Sequence, residues 1–283
     1  MERKHKVKEN LPVIICLVLI VVCILCLIVI FRQYMLTVKS TAEDKERYTA
    51  IRSEEAAPLP FKEEGTVRPV RSTEVLAEHA PVTLLTIDHK ALLSENPDYA
   101  GWLDIPGTDI SFPVYYSGDN EKYLRHAPDL SYRYGGSLFI DMETDENARN
   151  IIIYGHNMRV GTMFGRLKDY TDESFYKEHP YIVLYPADCD GYELYRVSSV
   201  YTCKGTDVID RTGRIHFADG ADVAAYAEKT ASYSLHTGFE PAGSYERMLT
   251  LATCHGQSAA DTRLIVNAVL EKTGGGMTSY FSY

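Results

Sequence analysis

The chain has 283 residues, 45% of them apolar and 24% charged, with a formal net charge of −10 at pH 7. Setting aside the four basic and two acidic residues of positions 1–31 leaves 25 basic and 37 acidic residues, a net of −12. So acidic a body argues against nucleic acid as a partner, because phosphate backbones are bound through basic faces.

Residues 1–10 carry Arg3, Lys4, Lys6 and Lys8 and precede an uncharged run of 21 residues, Leu11 to Phe31. At about 1.5 Å per residue this run spans the roughly 30 Å hydrocarbon layer. A cleavable secretory signal has a shorter apolar stretch and small residues at its cleavage site; here Arg32-Gln33-Tyr34-Met35 follows. The expectation is an uncleaved single-pass membrane anchor over 11–31. Basic residues are denser before the run than after it, which favours a cytoplasmic N-terminus and an extracellular body. Residues 32–80, punctuated by Pro58, Pro60, Gly65 and Pro69, read as a stalk. The compact body is expected over 81–273 and a mobile tail over 274–283.

Within the body, Asp88 can cap a short helix that runs through Glu95 and ends at Asn96-Pro97. Gly101–Ile105, Phe112–Tyr116, Ser137–Asp141 and Asn150–His156 read as strands. Thr162–Tyr170 has helical spacing. Tyr181–Tyr185 and Tyr192–Thr202 flank Asp188-Cys189-Asp190-Gly191, a hairpin turn. Ala221–Leu235 reads as a helix, and Arg247–Cys254 and Arg263–Glu271 as the last strands. Many short strands with few helices predict a mainly β, closed or nearly closed barrel.

Of the six cysteines, Cys16, Cys23 and Cys26 lie in the apolar run, leaving Cys189, Cys203 and Cys254. Cys189 in the turn and Cys203 far along the return strand are too distant for a disulfide. An odd number leaves a free thiol to explain.

Leu249-Thr250-Leu251-Ala252-Thr253-Cys254 alternates. Leu249, Leu251 and Thr253 suit a core; Thr250, Ala252 and Cys254 form a face of small side chains with room for a bound chain. Arg263 opens the next strand, and a hairpin can set it opposite Cys254. A neighbouring cation favours the nucleophilic thiolate, and a guanidinium can stabilise charge developing on a carbonyl oxygen. His255 adjoins Cys254, but successive strand residues face opposite ways. His156 ends an apolar strand, where a side chain can emerge at a barrel rim, and is the favoured acid/base partner.

Thr250-Leu251-Ala252-Thr253-Cys254 resembles the T-L-x-T-C signature of sortases, with Arg263 matching the sortase arginine. Tyr154-Gly155-His156-Asn157-Met158, Gly161-Thr162-Met163-Phe164 and Gly136-Ser137-Leu138-Phe139-Ile140-Asp141 resemble class B sortases in particular. The resemblance covers residues 88–272. It implies an eight-stranded β-barrel with peripheral helices, the segment Ala221–Leu235 walling a substrate groove. It also implies a cysteine transpeptidase at a Gram-positive cell surface. Such an enzyme cleaves exported proteins after the Thr of a C-terminal sorting motif. It holds the acyl group on the cysteine and passes it to an amine of a peptidoglycan precursor or pilin. Cys254 is then the nucleophile, His156 the general acid/base and Arg263 the oxyanion stabiliser. Asp261 is either an orienting residue or a turn residue. Asn157, Thr250, Ala252 and Thr253 are candidate substrate contacts.

No cofactor or metal is expected: no Cys/His pair has structural zinc spacing, and the acidic loop of Asp141, Glu143, Asp145 and Glu146 fits no fixed calcium pattern and reads as solvated. Two alternatives stand beside transpeptidation, a cysteine hydrolase with water as acceptor and a non-catalytic binding barrel.

Overall fold

The computed structural model describes residues 16–36, 38–39, 52–53, 82, 84–158, 161–204, 214–254 and 262–275. The chain divides into two compact units, Met1–Arg47 and Tyr48–Tyr283. In the first, helix α1 (Cys16–Leu36) is long and apolar enough to cross a membrane, and its apolar side chains are exposed throughout. The helix runs past the expected end at Phe31.

The second unit is built on eight strands. They are β1 (Tyr99–Asp104), β2 (Ser111–Tyr115), β3 (Leu138–Ile140), β4 (Asn150–His156), β5 (Tyr181–Pro186), β6 (Tyr192–Lys204), β7 (Met248–Cys254) and β8 (Thr262–Gly274). They close into a barrel in the order β8-β6-β5-β1-β2-β3-β4-β7. Closure removes the free strand edges that invite aggregation. Two neighbouring pairs are parallel, β2 with β3 and β4 with β7. Parallel neighbours need long crossovers, so β4 and β7 are joined through β5, β6 and the helix Gly220–Ala231.

Alternation decides which side chains fill the barrel. Ile151 and Ile153 of β4, Leu249 and Leu251 of β7, and Leu264, Val266, Ala268 and Leu270 of β8 share one buried interior cluster. Fully burying each of these Ile, Leu and Val side chains contributes roughly 1.5–3 kcal/mol. The opposite faces of β4, β6, β7 and β8 hold a buried polar row. The Thr250 hydroxyl lies 3.0 Å from Asn150 Oδ1 and 2.8 Å from Asn267 Oδ1. Asn267 Nδ2 donates to Ser199 Oγ at 3.1 Å.

Short helices pack against different parts of the barrel. Helix α2 (His89–Glu95) is capped by Asp88, whose Oδ1 accepts from Ala91 N at 3.0 Å. It stops at Asn96, as the sequence predicts. Helix α3 (Glu173–Glu178) is capped by Asp172, and Phe164–Thr171 before it is a 3-10 helix. Helix α4 (Gly220–Ala231) packs Val223, Ala224 and Ala227 with Met248 and Val269. The predicted helix continued to Leu235, but the Leu235 N–H bonds Val200 O instead.

Three other readings change. Arg52–Ser53 pairs antiparallel with Thr86–Ile87, so one piece of the expected stalk joins a strand ladder. Gly274 ends β8 and does not begin a tail; residues 276–283 lie outside the described residues. Asp141 is not a solvated loop residue: it is buried and accepts from Tyr154 OH at 2.9 Å and Asn120 Nδ2 at 3.2 Å. Cys189 and Cys203 are not joined in a disulfide.

At the barrel end where β6 and β7 begin, Glu193 is fully buried. It accepts from Tyr195 OH at 2.6 Å and faces Arg247 Nη1 at 3.5 Å. Burial pushes its carboxyl up and the Arg247 charge pulls it down.

Candidate active site

The site lies at the opposite end of β7. Strand β4 runs parallel to β7 with Asn150 opposite Met248, and the register carries on without a shift to its last pair, His156 opposite Cys254. Paired positions on neighbouring strands are the closest cross-strand neighbours a sheet offers.

Gly155 allows β4 to arrive there. A Cβ at this position would meet Leu138 Cδ2 at 2.4 Å and Phe164 Cδ2 at 2.6 Å. Packing of those two residues therefore admits only glycine just before His156.

His156 is half-buried. Its Nε2 lies 2.8 Å from the carbonyl oxygen of Leu124. A carbonyl only accepts, so Nε2 carries a hydrogen and Nδ1 is the free nitrogen of the neutral ring. Desolvation is the main cause holding His156 below the usual histidine range; the Leu124 carbonyl opposes it, while the Arg125 and Arg263 charges add to it.

Leu124 ends a short 3-10 helix, Lys122–Leu124, and begins a tightly bonded hairpin. Arg133 N bonds Arg125 O, and Ala127 N bonds Ser131 O. Asn96 Nδ2 donates to Pro128 O at 2.8 Å, tying the hairpin to the end of α2. The return leg needs Gly136, at φ +55: a Cβ there would sit 2.2 Å from Tyr123 O and 2.7 Å from Leu124 O. The carbonyl that holds His156 is thus packed directly against this glycine.

Arg263 comes from β8, opposite Cys203 of β6. The β7–β8 ladder runs from Val269/Met248 to Ile265/Ala252. Beyond it, side chains replace backbone pairing. The Thr253 hydroxyl accepts from Leu264 N at 3.0 Å, and Arg263 Nη1 reaches Thr253 O at 3.4 Å. Arg263 Nε is buried with no hydrogen-bond partner among the described residues. A buried unpaired guanidinium N–H is uncommon enough to require an explanation.

The other expected site residues divide. Asn157 follows His156 and forms an isolated bridge with Met163. Thr250 and Ala252 are fully buried and present no surface: Thr250 in the polar row already described, Ala252 among Tyr201, Cys203 and Ile265. Thr253 is buried too, clamping β8. Asp261 and His255 lie outside the described residues. Sequence reading missed the Leu124 carbonyl and the aromatic Tyr134, whose ring lies 17° from parallel with the His156 imidazole. The one sequence signal was the Tyr134-Gly135-Gly136 run entering β3.

The closed eight-stranded barrel thus carries a Cys–His strand pair at its rim and an arginine on the next strand. A family model described as Sortase domain matches residues 103–271, and this chain belongs to the sortase family. Sortase B of Listeria monocytogenes is 33% identical over 161 residues, covering 56% of this chain and 63% of that protein. Sortase B of Staphylococcus aureus is 30% identical over 173 residues, covering 60% of this chain and 69% of that one. The crystal structure of Clostridium perfringens sortase B superposes with a TM-score of 0.59 at 32% identity, covering 65% of this chain and all of that one. These likenesses put the chain in class B.

Proposed function

We propose that the chain is a membrane-anchored cysteine transpeptidase, with Cys254 as nucleophile, His156 as general acid/base and Arg263 as the cation for the oxyanion. The observation that carries this reading is the register of His156 with Cys254, with Arg263 on the adjoining strand.

In this reading the Cys254 thiolate attacks the carbonyl carbon that follows the Thr side chain of a sorting motif. The oxygen takes up the electron pair, and Arg263, whose Nε–H has no acceptor among the described residues, stabilises it. The tetrahedral adduct collapses, the C–N bond breaks, and His156, made imidazolium by taking the Cys254 thiol proton, gives that proton to the departing amine. A thioester remains. An acceptor amine loses a proton to His156, attacks the thioester, and expels the thiolate, restoring the enzyme. The lowered proton affinity of His156 keeps the ring neutral at neutral pH and ready to take that proton.

Asn157, at the rim just past His156, is the proposed substrate contact. Thr250, Ala252 and Thr253 form the small-residue strand beneath it. Asp261 is proposed to orient Arg263 or His156. The substrates are exported proteins with a C-terminal sorting motif, and the acceptor is an amine of a peptidoglycan precursor or pilin. Helix α1 would hold residues 81–273 at the outer membrane surface, with residues 1–10 in the cytoplasm and 32–80 as the connection.

The test uses the full chain in detergent micelles and a panel of fluorogenic peptides with different sorting motifs. It compares wild type with Cys254→Ala, with and without an added amine. Cleavage lost in the variant, with an amide product when amine is present, is the expected result. Cleavage yielding only the free acid in the presence of amine would point to a hydrolase. No cleavage and no labelling of Cys254 by a thiol probe would leave a binding barrel.

A further inference from the structure

Besides accepting from Nε2, the hairpin that begins at Leu124 holds His156 a second time. The Tyr134 ring stacks beside the imidazole with centroids 6.4 Å apart and planes 17° from parallel. Such parallel-displaced pairs fall within the range of favourable aromatic contact. Tyr134 is itself held twice by Arg125, whose Nη1 donates to Tyr134 O at 2.8 Å and whose guanidinium lies 4.7 Å from the ring centroid. Leu124, Arg125 and Tyr134 thus close one circuit around the imidazole. The hairpin is a built element, fixed by its own backbone bonds and by Asn96.

We propose that Tyr134 and Arg125 are positioning residues for His156: the Tyr134 ring walls one side of the imidazole and Arg125 fixes that wall. The proposal rests on His156 being the acid/base of the reaction. Two consequences follow from the geometry. The ring is kept from turning its Nε2–H away from Leu124 O, so Nδ1 keeps a fixed direction. One face of the ring is also shielded from water, and shielding lowers a histidine's proton affinity. The charged and titratable groups around His156 are Arg125 and Tyr134 from the hairpin, Arg263 from β8, and Cys254 as register partner on β7. Tyr134→Ala removes the ring and with it the shield, while the Arg125 bond to the backbone oxygen of residue 134 stays. Loss of the shield raises the proton affinity of His156.

The experiment has two arms, both on the full chain in detergent. In the first, diethylpyrocarbonate labelling of His156 is followed by mass spectrometry across pH; the reagent takes the neutral imidazole, so the midpoint reports protonation without any substrate. Tyr134→Ala is expected to raise this midpoint by about half a unit to one unit. Arg125→Gln should raise it by less, and Tyr134→Phe should leave it at the wild-type value. In the second arm, kcat/KM for the cleaved peptide is measured across pH. Tyr134→Ala is expected to lower it about tenfold, mainly in kcat, and to move the acid limb to higher pH. Tyr134→Phe should restore both.

Unchanged midpoints in Tyr134→Ala and Arg125→Gln, with unchanged kcat, would overturn the proposal. So would a loss in Tyr134→Phe equal to that in Tyr134→Ala. Tyr134 is 41% exposed, so the alanine variant should fold; if melting shows that it does not, Tyr134→Leu is judged by the same criteria. His156→Gln separates the two readings. Retained turnover in that variant removes the acid/base role itself, whereas the labelling arm tests the stack independently of catalysis.

Discussion

Arg263 and His156 are each defined by a single nitrogen. The Arg263 Nε–H is buried and unpaired among the described residues, and a lysine in its place has neither that N–H nor the planar fork. Arg263→Lys is therefore expected to lower kcat/KM by about 100-fold or more, while alkylation of Cys254 by iodoacetamide slows far less. Comparing the two rates in one preparation checks this. For His156 the sign follows from linkage. Its proton affinity is lowered on folding, mainly by burial, as is that of His89. Between the folded and unfolded pKa values the unfolded chain binds more protons, so stability rises with pH across that window. Urea midpoints of the full chain are expected to fall as pH drops below about 6.5, and His156→Gln should flatten part of that fall.

At the next scale, two elements deliver these residues, the end of the β7–β8 ladder and the hairpin after Leu124. Thr253 substitutes its hydroxyl for a ladder bond by accepting the Leu264 N–H. Thr253→Val keeps the shape and leaves that buried N–H unpaired, at a cost of about 1–3 kcal/mol. A calorimetric melt reads the stability, and a drop in kcat/KM should accompany it because Arg263 precedes Leu264. Gly136→Ala would add a left-handed strain and a clash with the Leu124 carbonyl; destabilisation of about 1–3 kcal/mol and a lowered kcat are expected. The alternation of Leu249 to Cys254 and of Arg263 to Leu270 was legible because period-2 patterning names the two faces of a strand. It does not say what covers a face, so Thr250 and Ala252 read as groove lining although they lie buried. Asp141 read as a solvated residue because its partners Tyr154 and Asn120 are distant in sequence. The short helix α3 and the hairpin around Tyr134 carry too few residues to show a period at all.

Across the molecule the barrel separates its two ends. One end carries His156, Cys254 and Arg263; the other is occupied by buried Glu193 with Tyr195 and Arg247. Glu193→Ala removes the carboxylate facing Arg247 and is expected to cost about 3 kcal/mol, seen as a lower melting temperature. Peptide turnover measured well below that temperature should stay at the wild-type level.

The parallel pairing of β4 with β7 has a consequence in time. It joins residues about a hundred positions apart in the chain, and such non-local contacts form slowly, after the local ones. The 3-10 helix, β5, β6 and α4 all lie between them in the chain, so closing this pair carries the entropy cost of a long loop. During refolding, far-UV circular dichroism is expected to recover before Cys254 regains its reactivity toward iodoacetamide. A half-folded chain then carries a thiol without its histidine neighbour, and in the proposed mechanism closure of the barrel is the step that arms it.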